Sequence, residues 1–266
     1  MAVQETAAIA LKPARRSRSI WERARRALPE RLTRNWSPHA LQSRAGAPLV
    51  SFSFDDFPRS AASAGARILN EFGIKGTYFV ASGRAGRKVD GLEHFTEEDL
   101  IEVAQAGHEI GCHTFGHLRL LRASRSEIED DLLRNKEFIH RVLGDYTMSS
   151  FAYPYGEASI AIKALMARHF PICRGIWARV NKGKVDFAQL KAVPLAQPFD
   201  RALVSNVLDD ATASNGWVIF FTHDVSDDPS EYGCKPAELA RVAQDVLARG
   251  IEVLPMKNAA AKVSFS

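Results

Sequence analysis

From Leu49 onward, short apolar runs alternate with longer stretches whose apolar residues recur every three or four positions. The first run, Leu49 to Asp55, reads as a buried strand that ends on charge. Pro58 then opens a helix with Ala61, Ala64, Ile68 and Leu69 on its apolar face, and Gly73 stops it. Further strand-like runs lie at Lys75–Val80, His108–Cys112, Ser149–Tyr153, Pro171–Trp177, Leu190–Leu195, Trp217–His223 and Ile251–Pro255. Helical patterns separate most of them: Thr96 to Gly107, Ser124 to Leu143, Ser159 to His169, Arg201 to Ser214 and Lys235 to Arg249. Thr96 followed by Glu97, Glu98 and Asp99 is a capped helix start. Asp130 and Asp131, near the first turns of the longest helix, read as a solvated face favoured by the helix dipole. Residues 82–95 form a Gly- and charge-rich excursion. Strands alternating with helices predict an α/β barrel or a doubly wound sheet, and both place function at the strands' carboxyl ends.

Composition adds a boundary. The 266 residues are 46% hydrophobic and 25% charged, an ordinary globular balance with room for one large domain. Charge is uneven along the chain. Ten Lys and Arg against three Glu give the first 47 residues +7, so the remainder of this +4 chain carries −3. The expected division is a basic, flexible or peripheral arm over 1–47 and a catalytic domain over 48–266. Within the arm, Ser19–Leu28 has helical character with Ile20, Arg23, Ala24, Ala27 and Leu28 on one face. That face offers peripheral membrane contact, set against a loosely docked tail. Nothing beyond charge speaks for nucleic acid, and none is expected as a partner.

Cys112, Cys173 and Cys234 form no disulfide framework. The apolar stretch at Ala7–Leu11 is too short for a signal h-region, and no run reaches the length of a membrane span. A cytoplasmic location is the expectation.

The chemistry begins at Asp55-Asp56. Adjacent carboxylates resist joint ionisation unless a cation sits between them, so this pair asks for a metal if a turn at the strand end brings both to one rim. His113 and His117, four residues apart after a second strand, could share a helical turn and close on one ion. Two imidazoles and one carboxylate leave open positions, the composition of a catalytic rather than a structural zinc site. Thr114 stands where an HExxH motif would carry its base, so the base falls to the spare carboxylate of the Asp55-Asp56 pair. Phe151–Gly156 is a strand running into a Pro-Tyr-Gly turn, able to aim a backbone N–H at an oxyanion. His223 ends another strand, with Asp224 beside it, and suits a general acid. Trp177, Tyr155 and Phe115 are candidate pocket walls.

Four motifs in this order, Ser53-Phe-Asp-Asp56, His113-Thr-Phe-Gly-His117, Ala152-Tyr-Pro-Tyr-Gly156 and Thr222-His-Asp224, resemble the polysaccharide deacetylase (NodB-homology) family, carbohydrate esterase family 4. The resemblance covers residues 48–255. It implies a distorted, incomplete (β/α) barrel and metal-dependent removal of an N-acyl group, N-acetyl first, from an amino sugar in an oligo- or polysaccharide. By the same resemblance Asp55 is the general base, and Asp56, His113 and His117 are the metal ligands. The Tyr155 backbone N–H meets the oxyanion and His223 is the general acid. Zinc suits this ligand set, with cobalt or nickel able to serve.

The family pattern has an Arg two residues before the Pro of the third motif; Ala152 stands there, and Arg174 on the next strand is the candidate replacement for its hold on Asp55. The tuning partner of His223 is open, with Asp224 the candidate. Other readings stay open too. One is hydrolysis of a formamide on a lipid-linked sugar or of a non-sugar amide. Another is a facial-triad iron oxygenase. The third is an inactive sugar-binding homologue.

Overall fold

The computed structural model describes residues 40–265; the amphipathic pattern at Ser19–Leu28 lies outside them. Its strands are β1 (Ala40–Gln42), β2 (Leu49–Phe54), β3 (Thr77–Val80), β4 (Lys88–Val89), β5 (Leu92–Glu93), β6 (Glu109–Cys112), β7 (Ser150–Ala152), β8 (Ile172–Arg174), β9 (Lys184–Asp186), β10 (Val193–Pro194), β11 (Trp217–Thr222) and β12 (Glu252–Val253). Its α-helices are α1 (Arg67–Glu71), α2 (Glu97–Gln105), α3 (Arg125–Leu143), α4 (Ile160–His169), α5 (Arg201–Ser214), α6 (Pro236–Ala248) and α7 (Met256–Phe265).

The main sheet runs β10-β11-β2-β3-β6-β7-β8, all parallel. β2 has neighbours along its whole length. β11 pairs with all six of its residues, β12 takes Leu49 and Val50 on the other side, and β3 takes Ser53 and Phe54 above β12. Such a strand has no solvated face, which is why its sequence is apolar throughout. Alternate residues still divide. Val50, Phe52 and Phe54 pack into the large cluster shared with α1, α2, α5 and α6, whereas Ser51 and Ser53 donate to Leu254 O and Phe220 O.

The sheet curls until its ends nearly meet. Leu190 N–H donates to Cys173 O at 2.7 Å and Gly175 N–H to Leu190 O at 2.8 Å, so the segment leading to β10 touches β8. This is the distorted, incomplete (β/α) barrel, and it settles the choice between a barrel and a doubly wound sheet.

Helix starts follow their caps. Thr96 accepts from Asp99 N–H while Asp99 accepts from Thr96 N–H, and Ser124 with Glu127 does the same for α3. The helix after Pro58 differs from expectation: residues Ala61–Ala66 wind as a π-helix before α1. The boundary at residue 47 also moves. β1 lies inside the expected arm, yet pairs antiparallel with β9, Leu41 opposite Val185, so the folded body begins by Ala40. None of the described helices is long and apolar enough to cross a membrane.

His108 shows what the core does to a titratable group. Its Nδ1 accepts from Gly76 N–H at 2.9 Å and its ring meets Tyr78 edge-on, centroids 5.3 Å apart. Burial, helped by Lys75, pushes its pKa down to about 4. Between pH 4 and the ordinary value of about 6.5 the unfolded chain therefore binds a proton that the folded one refuses. Stability is fully present above pH 6.5 and falls with pH, by roughly 3 kcal/mol from this residue. Denaturant unfolding at steps from pH 7 to 4 is expected to show that loss. His108→Asn, which keeps an acceptor for Gly76, is expected to flatten the slope, and equal slopes in both proteins would discredit the assignment.

Candidate active site

Every parallel strand named in the motif reading delivers its polar residue at the same rim. Asp55 and Asp56 follow β2, His113 follows β6, Tyr155 follows β7, Arg174 ends β8 and His223 follows β11. The turn that brings both carboxylates together is visible in the backbone. Asp55 N–H still donates to Thr222 O at 2.9 Å, in the ladder. Asp56 and Phe57 then take φ of 62° and 58°, the left-handed region. Of the seven non-glycine residues with positive φ among the described residues, five are at this rim: Asp56, Phe57, Thr114, His117 and Tyr155. Such conformations cost of order 1–3 kcal/mol each and persist where the surroundings impose them.

Asp56 Oδ1 lies 3.5 Å from His113 Nε2 and 3.2 Å from His117 Nε2. Ligand bonds of ~2.0–2.2 Å put tetrahedral donor atoms about 3.3–3.6 Å apart, so this triangle fits one ion. Asp56 Oδ1 is buried without a hydrogen-bond partner among the described residues, as a ligand atom awaiting a cation should be. His113 Nδ1 donates to Ala152 O at 2.8 Å, which fixes the tautomer and leaves the Nε2 lone pair facing Asp56. Burial holds both imidazoles far below their ordinary pKa, hence neutral. Burial also raises Asp56, against the pull of His223 and Arg84.

Three residues of this site escape sequence reasoning. Arg84, after β3, donates from Nη1 to Asp56 Oδ2 at 2.9 Å. His94 backs it, with Nε2 3.3 Å from Arg84 Nη1 and Nδ1 3.1 Å from Leu92 O. One Asp56 oxygen is thus held by a guanidinium and the other is left for an ion. The third is Asp131. It is buried rather than solvated and accepts from Phe115 N–H at 2.6 Å and Gly116 N–H at 3.1 Å. The His113–His117 segment is therefore a loop wrapped round a carboxylate of α3, not the helical turn the spacing suggests. Thr114 Oγ1 closes it by accepting from Leu118 N–H at 2.8 Å. Sequence carries no signal for Asp131, because two adjacent helix positions fit together on one solvated face.

Asp55 is buried and ion-paired with Arg174, whose Nη2 donates to Oδ1. Arg174 is wholly buried, its guanidinium 5.1 Å from the Phe79 ring centre and 4.9 Å from that of Phe221. Arg174 is register partner to Ala152 across β7 and β8, so the guanidinium enters one strand over from the family position at the same height.

His223 Nε2 stands 4.0 Å from Asp56 Oδ2. Asp224 is not its partner. That carboxylate points away and accepts from Ser230 N–H and Oγ–H, as strand alternation dictates for a neighbour. Among the wall candidates, Tyr155 packs on His117 with centroids 4.4 Å apart, whereas Phe115 lies under the Arg134 guanidinium. Trp177 is half-buried between β8 and β9.

A model of the polysaccharide deacetylase family matches residues 42–169, which include the first three motifs but neither Arg174 nor His223. A chitooligosaccharide deacetylase of Azorhizobium caulinodans is 26% identical over 192 residues, 72% of this chain and 77% of that protein. A peptidoglycan-N-acetylglucosamine deacetylase of Bacillus cereus is 27% identical over 111 residues, 41% of this chain and 36% of that protein. The matched span is likewise 37% of a Bacillus subtilis relative, little more than a third of either Bacillus protein. Among solved structures, a family 4 carbohydrate esterase from Bacillus anthracis superposes with a TM-score of 0.57 at 16% identity, over 83% of this chain and 86% of that one, and so shares the fold. The incomplete barrel, the motif order and the family match agree that residues 42–169 are similar to the polysaccharide deacetylase family.

Proposed function

We propose that the chain is a divalent-metal-dependent deacylase that hydrolyses an N-acyl group, N-acetyl foremost, on an amino sugar of an oligo- or polysaccharide. The observation that carries the reading is a metal-sized triangle of Asp56, His113 and His117 beside a second carboxylate held by a buried arginine. The names of two relatives, one for chitooligosaccharide and one for peptidoglycan N-acetylglucosamine, support the substrate class.

Asp56 Oδ1 and the two Nε2 atoms would hold the ion, zinc by ligand type, with cobalt and nickel compatible. Bound there, it supplies Lewis-acid polarisation of the acyl oxygen and of the attacking water. The chain's residues do the rest. Asp55 takes the water proton on its carboxylate, oriented by Arg174. Arg84 keeps Asp56 from turning its second oxygen inward. The Tyr155 backbone N–H donates to the oxygen that gains charge as water adds to the acyl carbon. His223 gives a proton to the nitrogen as the C–N bond breaks, so that acid and free amine leave.

Acid release from N-acetyl chitooligosaccharides by zinc-loaded protein tests this. Acetate is expected from the wild type, with Asp55→Asn slower by about 10²–10⁴-fold, the usual worth of a positioned base. No acetate from folded, metal-loaded protein would remove the reading. Formate from a formylated sugar instead would move the acyl group but keep the site.

A further inference from the structure

The two imidazoles of the site are held in different ways. His113 Nδ1 donates to Ala152 O, the usual arrangement in which the second ring nitrogen fixes the direction of a metal ligand. His117 Nδ1 is buried with no hydrogen-bond partner among the described residues. No bond at that nitrogen sets the direction of its ring, so ring contacts must. They come from His113, with centroids 5.0 Å apart, and from Tyr155, at 4.4 Å.

The Tyr155 ring is itself held. The Arg119 guanidinium lies over it, 4.1 Å from the ring centre, well within cation–π range. Arg119 Nη1 also donates to Glu157 Oε1 at 3.2 Å. The pattern crosses between the loops of two neighbouring strands. The loop after β6 supplies His117 and, two residues on, Arg119; the loop after β7 supplies Tyr155 and, two residues on, Glu157. Ring meets ring and charge meets charge. Both ring-bearing residues need such support, since His117 at φ 52° and Tyr155 at φ 59° occupy the left-handed region. Beneath the Tyr155 turn, Gly156 at φ 65° makes room for Ile176, whose side chain an added Cβ would meet at 2.4 Å. As a surface bridge, a pair with side chains 37% and 24% exposed adds little to stability. What it can fix is direction.

We infer that Arg119 is a positioning residue: clipped to Glu157 and laid over Tyr155, it presses that ring against His117 and so keeps both the His117 donor atom and the Tyr155 backbone N–H in place. This rests on the deacetylase reading for the roles of those two groups.

The test measures the zinc affinity of metal-free, full-length protein by competition with a chromophoric chelator, and the turnover of N-acetyl chitooligosaccharide by the zinc-loaded protein. Arg119→Met is expected to weaken zinc binding roughly tenfold and to lower kcat by a similar factor, with KM unchanged. Arg119→Lys should recover part of both, because an ammonium can still cover the ring and reach Glu157. Tyr155→Gly keeps the backbone N–H and accepts the positive φ but has no ring; adding Arg119→Met to it should change neither quantity further. Unchanged zinc affinity and kcat in Arg119→Met overturn the inference and leave an ordinary surface ion pair. So does a rise in KM alone, which would make Arg119 a substrate contact, or an undiminished effect in the Tyr155→Gly background. A weaker zinc Kd in Arg119→Met, with no acetate from the wild type, sustains the positioning role and sinks only the deacetylase reading. Wild type that takes up no zinc sinks both.

Discussion

His117→Asn is expected to leave a folded protein that no longer takes up a divalent ion stoichiometrically and no longer deacetylates. Asn is chosen because His117 has φ 52°, a conformation that Asn tolerates better than most residues. Its loss should not unsettle the resting protein. His117 Nδ1 is buried without a hydrogen-bond partner among the described residues, so no bond within the fold depends on it. What disappears is one of three donor atoms converging on one point. A Lewis acid contributes several kcal/mol of transition-state stabilisation, so turnover should drop by roughly 10³-fold or more. The decisive readout is independent of turnover. An ion that binds only the folded chain stabilises it by about 2.7 kcal/mol at a free concentration of about 100 Kd. Zinc should therefore raise the melting temperature of the metal-free wild type and leave that of His117→Asn where it was. A zinc-dependent shift of equal size in the variant would place the ion elsewhere.

The parts of this site that could be read from sequence share one property: they are short contiguous motifs at strand ends. Asp55-Asp56, His113, His117 and His223 announce themselves because the chemistry needs those residue types and the α/β alternation says where strands end. The supporting residues come from far away in the chain. Arg84 and His94 sit in the irregular excursion after β3, where no periodicity assigns a direction to any side chain. Asp131 lies 15 and 16 residues from the amides it holds and has the composition of a solvated helix face. Asp224 misleads in the opposite sense. Beside His223 in sequence, it faces away in space and spends its carboxylate on Ser230.

Fold details follow the same division. Buried central strands and capped helices are local and legible. The β1–β9 pairing joins residues 40–42 to 184–186 through contacts that neither segment advertises. No element is expected after Ile251–Pro255, yet α7 follows directly, and Glu109 accepts from Lys257 N–H in its first turn, at 2.9 Å.

Arg174→Met is the variant in which fold and chemistry should fail together. The guanidinium is wholly buried, ion-paired with Asp55, and bracketed by the faces of Phe79 and Phe221. Met nearly fills the space but supplies no charge, so Asp55 is left as a buried carboxylate without its cation. Removing one partner of such a pair costs roughly 3–5 kcal/mol, more than the pair itself is worth, because the stranded charge bears its full desolvation. The Asp55→Asn/Arg174→Met double variant should therefore be more stable than Arg174→Met alone, an inversion that a simple packing defect at Arg174 would not produce. In catalysis, a base that has lost the guanidinium orienting it is misplaced for the water proton, so turnover at neutral pH should fall by roughly 10²-fold. Arg174→Lys should recover part of the stability but less of the rate, since an ammonium keeps the charge without the planar fork that orients Asp55. Unchanged turnover in Arg174→Met would mean that Asp55 is held in place by something other than this arginine, and that a guanidinium on β8 has no catalytic meaning.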